Sequence, residues 1–112
     1  MKATGAVLDQ ATGLPKLTAA QFESLQSLFI TIGGTTLELT ANACIIPRSM
    51  NTQIGGKAGD IYLAFGDQGT KSGQGLDFIL GLAFLERFYT VYDTANRRIG
   101  FATTTFTTAT SN

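Results

Sequence analysis

Residues 78–102 read FILGLAFLERFYTVYDTANRRIGFA. Phe78-Ile79-Leu80 is a short apolar run stopped by Gly81, the pattern of a strand buried on both faces. Ala83 to Arg87 follow with room for one helical turn. From Phe88 to Tyr92 aromatic and β-branched residues dominate, the composition of a strand. Asp93-Thr94-Ala95-Asn96 is a reversal, because Asp and Asn side chains bond their own backbone there. Arg97 to Ala102 complete the hairpin. The stretch predicts a strand, a helical turn and a closing antiparallel pair.

Upstream, LFITIGGTTLEL (residues 28–39) is a second hairpin. Leu28, Ile30 and Ile32 alternate with Phe29 and Thr31, Gly33-Gly34 permits the tight turn, and Leu37 and Leu39 alternate on the return. Before it, Thr18 and Gln21 have capping-box spacing, and Phe22 and Leu25 follow at helical spacing. They predict a helix over about residues 19–26. A short strand is expected at 43–46 and another at 60–65, where Ile61, Leu63 and Phe65 share a face. Residues 1–17, punctuated by Gly5, Gly13 and Pro15, read as a loop, as do 48–59 and 66–75, which hold Gly with Asn or Ser. Residues 103–112 are Thr-rich and read as a mobile tail, or a site for O-linked sugars in a secreted protein. The expected organisation is one domain over 1–102 with this tail behind it. Its core is expected to hold Ile30, Ile32, Leu37, Leu39, Ile61, Leu63, Phe65, Ile79, Leu80, Phe84, Val91, Ile99 and Phe101.

Composition narrows the function. The 112 residues are 44% hydrophobic and only 14% charged, and eight basic residues cancel eight acidic ones. No basic stripe exists to hold a phosphate backbone, so nucleic acid is not an expected partner. No apolar run approaches the ~20 residues of a membrane-spanning helix, so membrane insertion is not expected. There is no histidine, so nucleophilic Ser or Cys systems lack their usual base. Cys44 and scattered carboxylates are a poor zinc set, and no metal or other cofactor is expected. Gly55-Gly56-Lys57 lacks the remaining positions of a phosphate-binding loop. Asp60, Asp67 and Asp77 lie too far apart for a calcium loop and are expected to be solvated.

The stretch at 78–102 resembles the closing segment of pepsin-like aspartic proteases. There a hydrophobic-hydrophobic-Gly triplet precedes a short helix, an aromatic strand, an Asp/Asn turn and a last strand ending in Gly-apolar-Ala. The hairpin at 28–39 resembles one in the same lobe. QSLFITIGG and LTANACIIPRSMNT are similar in style to secreted basidiomycete enzymes, and the resemblance runs over residues 3–112. It implies a mainly β fold, a partial C-terminal lobe of antiparallel sheets with one or two short helices. It also implies secretion, although the N-terminus has no signal-peptide apolar region. Leu82 departs from the pattern, standing where many members carry Asp after the Gly.

The larger departure is that no Asp-Thr/Ser-Gly turn occurs in the sequence. Such enzymes cleave peptides with two carboxylates sharing a proton across one water, and each lobe supplies one Asp from that turn. The chain is therefore expected to be non-catalytic, a secreted fungal protein acting by binding. In size it is similar to small immunomodulatory proteins of mushrooms, the Yunzhi protein type, which implies an immune-cell surface receptor as partner. The alternatives are an inert processing fragment and a dimeric acid peptidase. In the latter, Val91-Tyr92-Asp93-Thr94-Ala95 would supply a half-site at Asp93. Ala95 is a poor substitute for the turn glycine, so Asp93 reads first as a turn residue. Asp9-Gln10-Ala11-Thr12-Gly13 has two residues inserted and fits no catalytic turn. A lobe lacking strands would expose edges and apolar surface, so a homodimer is expected. For Cys44 two readings stand: a buried thiol acting as a small hydrophobe, or an intermolecular disulfide.

Overall fold

The two hairpins legible in the sequence form where glycine or a short polar turn lets the backbone reverse. In the computed structural model, which describes residues 3–67 and 69–112, strand β3 (Leu28–Ile32) pairs antiparallel with β4 (Thr35–Leu39), from Leu28↔Leu39 to Ile32↔Thr35. Gly33 and Gly34 have φ of 55° and 83°, the left-handed pair that a two-residue hairpin loop requires. β6 (Phe88–Asp93) pairs with β7 (Arg98–Thr103) in the same way. Met1, Lys2 and Gln68, which fall in the loops expected at 1–17 and 66–75, lie outside the described residues.

A third sheet was not expected. Val7–Leu8 (β1), Pro15–Leu17 (β2) and Ile61–Tyr62 (β5) pair in the order β1-β2-β5, all antiparallel. Residues 7–17, within the loop expected at 1–17, thus form a small hairpin. Asp9 holds its turn, accepting bonds from Thr12 N at 3.1 Å and Thr12 Oγ1 at 2.9 Å. That is why Asp9 and Gly13 stand so spaced. The strand expected at 43–46 is instead a 3-10 turn, Asn42–Cys44, from which only Ile45 bridges to Leu63.

Helix α1 (Ala19–Glu23) begins as expected. Thr18 Oγ1 accepts from Gln21 N at 3.2 Å, and Gln21 Oε1 accepts from Thr18 N at 2.8 Å. It ends early at Ser24, whose hydroxyl donates to Ala20 O. Helix α2 (Leu82–Leu85) supplies the single turn before β6.

Two apolar clusters hold these elements. The first joins Leu37, Leu39, Ala43, Cys44, Phe84 and Phe88, with Phe101 packed against it. The Phe84 ring lies 4.9 Å from Phe88 and 5.4 Å edge-on from Phe101, separations at which aromatic pairs attract. The second joins Ala6, Leu17, Ile45, Ile61 and Leu63. Leu25, just past α1, packs against both.

Of the expected core, Leu37, Leu39, Ile61, Leu63 and Phe84 are buried, and Ile30, Ile32, Leu80 and Phe101 are half-buried. Phe65, Ile79, Val91 and Ile99 are exposed, contrary to expectation. The apolar run at 78–80 forms no strand, and Phe78 is 83% exposed. Val91 lies on a face of a two-stranded sheet that no other layer covers. Ile99, opposite Tyr92, sits toward the tip of that hairpin, beyond the packed Phe88 and Phe101. Alternation assigns a face to each residue but does not supply something to cover it. Of residues 103–112, expected as a mobile tail, Thr103 ends β7 and the rest fold back onto the domain, where Thr107 is buried.

Candidate functional site

An apolar concavity of about 650 Å³ is lined by all five residues of β3 and by residues 65–67 and 77–80. Lining by both the odd and the even residues of a strand means that the groove follows the strand's edge, since successive side chains point to opposite faces. β3 pairs only with β4 among the described residues, so its other edge carries free N–H and C=O groups. Leu28, Phe29, Phe65, Phe78 and Ile79 present apolar surface along it. Asp67 and Asp77 add two carboxylates, each already accepting a backbone N–H at 2.7 Å, from Gly69 and Gly73. At the far end Gly81 turns the chain into α2, its carbonyl accepting from Phe84 N and Leu85 N. Leu82, in the position where Asp is common, is 75% exposed.

Asp93 lies outside this groove, at the tip of the β6–β7 hairpin. Its Oδ2 accepts from Arg98 Nε at 2.8 Å and from Asn96 Nδ2 at 2.9 Å, and its Oδ1 accepts from Asn96 N at 3.1 Å. The hydrogen bond from Arg98, then those from Asn96, hold its carboxyl below the ordinary range. A proton-sharing carboxylate needs an environment that keeps a proton near neutral-to-acid pH. This one stabilises the bare anion. The turn reading of Asp93 fits the geometry.

Cys44 is a free thiol, 3% exposed, inside the first cluster. Burial pushes its pKa up, so the nucleophilic thiolate is disfavoured. A bridge to another copy would require this part of the fold to open. The geometry fits the small-hydrophobe reading.

Sequence reasoning missed a polar network. Asp60, expected to be solvated, accepts from Tyr62 Oη at 3.0 Å and from Lys16 Nζ at 3.2 Å. The Tyr62 hydrogen bond, followed by Lys16, holds the Asp60 carboxyl below its ordinary range against the opposing effect of desolvation. Asn51, fully buried, donates to the carbonyls of Lys57, Ala58 and Asp60. One amide thus gathers the loop that the sequence left unstructured. Lys16 and Asn51 lie so far in the chain from Asp60 and Tyr62 that the network carries no local signal. Among the described residues no three His, Cys, Asp or Glu side chains converge as a metal cage, and no helix is long and apolar enough to cross a membrane.

Comparison with known proteins completes the picture. The family model described as eukaryotic aspartyl protease matches residues 1–104. The chain is 68% identical over 111 residues to polyporopepsin of Irpex lacteus, a match that takes in 99% of this chain and 33% of that protein. It is 33% identical over 103 residues to aspartic protease 1 of Caenorhabditis elegans, covering 92% of this chain and 24% of the relative. The crystal structure of aspartic proteinase from Irpex lacteus superposes with a TM-score of 0.95, over 99% of this chain and 33% of that one. The chain therefore spans a third or less of the length of these relatives. Its antiparallel sheets and two short helices are those of part of a pepsin-like lobe, and the chain belongs to the eukaryotic aspartyl protease family.

Proposed function

We propose that these 112 residues act by binding a polypeptide strand and not by cutting one. The observation that carries this reading is the groove along β3, with apolar walls and an unpaired strand edge. Backbone groups left open at an edge are satisfied by an added strand, and apolar side chains beside it supply the affinity. The first occupant is a second copy of the chain. Two copies of zero net charge meet with little repulsion, and a two-fold axis beside β3 would pair the edge with itself. The finer form of the reading is a secreted fungal protein that acts on immune cells through this surface.

The absence of an Asp-Thr/Ser-Gly turn and the hydrogen bonds that occupy Asp93 support a non-catalytic role. A second reading is favoured by the 68% identity to polyporopepsin. In it the segment is one wall of an acid peptidase, whose carboxylates come from elsewhere in a longer polypeptide.

Peptide cleavage at acid pH, together with sedimentation over a range of concentrations, tests these readings. The purified chain should cleave nothing and should sediment as a dimer that Phe29→Asp dissociates. Pepstatin-sensitive cleavage lost in Asp93→Asn would overturn the non-catalytic reading. A monomer at every concentration would remove the second copy as occupant. Cleavage seen only when the segment is part of a longer polypeptide would favour the second reading.

A further inference from the structure

The segment after β7 is held almost wholly by polar contacts. Arg87, 3% exposed, donates through one terminal nitrogen to the carbonyls of Phe106 at 3.1 Å and Ala109 at 2.8 Å. Its other terminal nitrogen reaches Asn42 Oδ1 at 3.4 Å. Thr107 Oγ1 donates to the Arg87 carbonyl at 2.5 Å. At the end of the segment, Asn112 Nδ2 donates to the carbonyls of Asn42 at 2.9 Å and Ile45 at 3.3 Å. These two carbonyls bracket Cys44. The segment's one aromatic side chain, Phe106, is 66% exposed, so it does not anchor the segment in the core.

We propose that residues 104–112 are a strap, latched by Arg87 and closed over the turn at 42–45, that opens without unfolding the rest of the domain. This inference does not depend on the groove along β3. Three features poise the strap to open. Its holding contacts are hydrogen bonds, each worth little net once water can replace it. The buried guanidinium is paired mainly with neutral carbonyls, and its Nε has no hydrogen-bond partner, with the Glu86 carboxylate 3.9 Å away. A buried charge so incompletely matched gains from meeting water. No residue of 104–112 belongs to either apolar cluster and Phe106 is already mostly exposed, so few buried apolar contacts oppose opening. Opening frees the carbonyls of Asn42 and Ile45 from Asn112, while the Cys44 thiol stays packed in the first cluster, so the amides of the strap itself report the motion.

The test is native-state amide hydrogen exchange at increasing denaturant, alongside global unfolding. In the wild-type chain the amides of Thr107 and Ala109, which bond within the strap, should be less protected than those of Leu37 and Leu39, and their protection should fall little with denaturant, because opening the strap exposes little surface. Asn112→Ala and Thr107→Val should each speed exchange at Ala109 about three- to tenfold, the equivalent of one ordinary hydrogen bond, and keep that weak denaturant dependence. Arg87→Ala should speed it more. Should that variant fail to fold, the other two decide the matter. Exchange that is unchanged in both would overturn the proposal. So would wild-type protection in the strap that equals that of the β4 amides and falls with denaturant as steeply as global stability.

Discussion

Asp93 is partnered by Arg98 and Asn96 within its own hairpin, and this ties the turn to pH. Its folded-state carboxyl is held below the ordinary 3.8. The stabilisation is therefore fully present above the unfolded value and is lost as pH falls through the lower folded one. Asp93→Asn should lower the melting temperature at pH 7, and the difference from wild type should shrink as pH falls below 3. Thermal melts at a few pH values would reveal it, and a constant difference would mean the carboxylate charge plays no part. Gly56 matters for a steric reason. A Cβ there would lie 2.6 Å from the Tyr62 ring, whereas one on Gly59 would meet nothing within 4 Å. Tyr62 is 1% exposed and cannot step aside. Gly56→Ala should cost about 1–3 kcal/mol through overpacking, and Gly59→Ala should cost less. Denaturant unfolding compares the two.

Among the elements, α1 is short enough to depend on its cap. Thr18 and Gln21 satisfy each other's backbone N–H groups, and Gln21 Nε2 also donates to Gly5 O at 3.0 Å. Thr18→Ala should destabilise the domain by about 1 kcal/mol, read from the denaturation midpoint. The same residues show what the sequence makes legible. A capping box, a Gly-Gly reversal and an aromatic run closed by an Asp/Asn turn are local signals, and they located α1, the β3–β4 hairpin and the β6–β7 hairpin. Of the β1-β2-β5 sheet only β5 was legible, inside the longer strand expected at 60–65; β1 and β2, of two and three residues, complete too few alternations to stand out. Residues 78–80 misled for the opposite reason. Their composition is that of a buried strand, but burial needs a neighbour, and among the described residues none pairs with them. The groove was legible only as an expectation of exposed edges, since its walls come from segments as much as about fifty residues apart, as Phe29 and Phe78 illustrate. The strap was not legible, because Thr repeats look alike whether they bond to solvent or to Arg87.

For the whole molecule, the radius of gyration is 15.2 Å, against about 13 Å for a compact domain of this length. The excess agrees with two hairpins that stand as separate two-stranded sheets and with the apolar side chains left on the surface. Such a molecule divides its buried apolar residues between two clusters. Its two apolar clusters share Leu25, and that contact has a thermodynamic consequence. A side chain that touches both clusters passes the loss of one to the other, and so helps them melt as one cooperative unit. Leu25→Ala should therefore broaden the transition as well as lower it. Scanning calorimetry should give a total heat close to the van't Hoff value in the wild-type chain and clearly above it in the variant, as the β1-β2-β5 sheet and the β3–β4 layer come apart in separate steps.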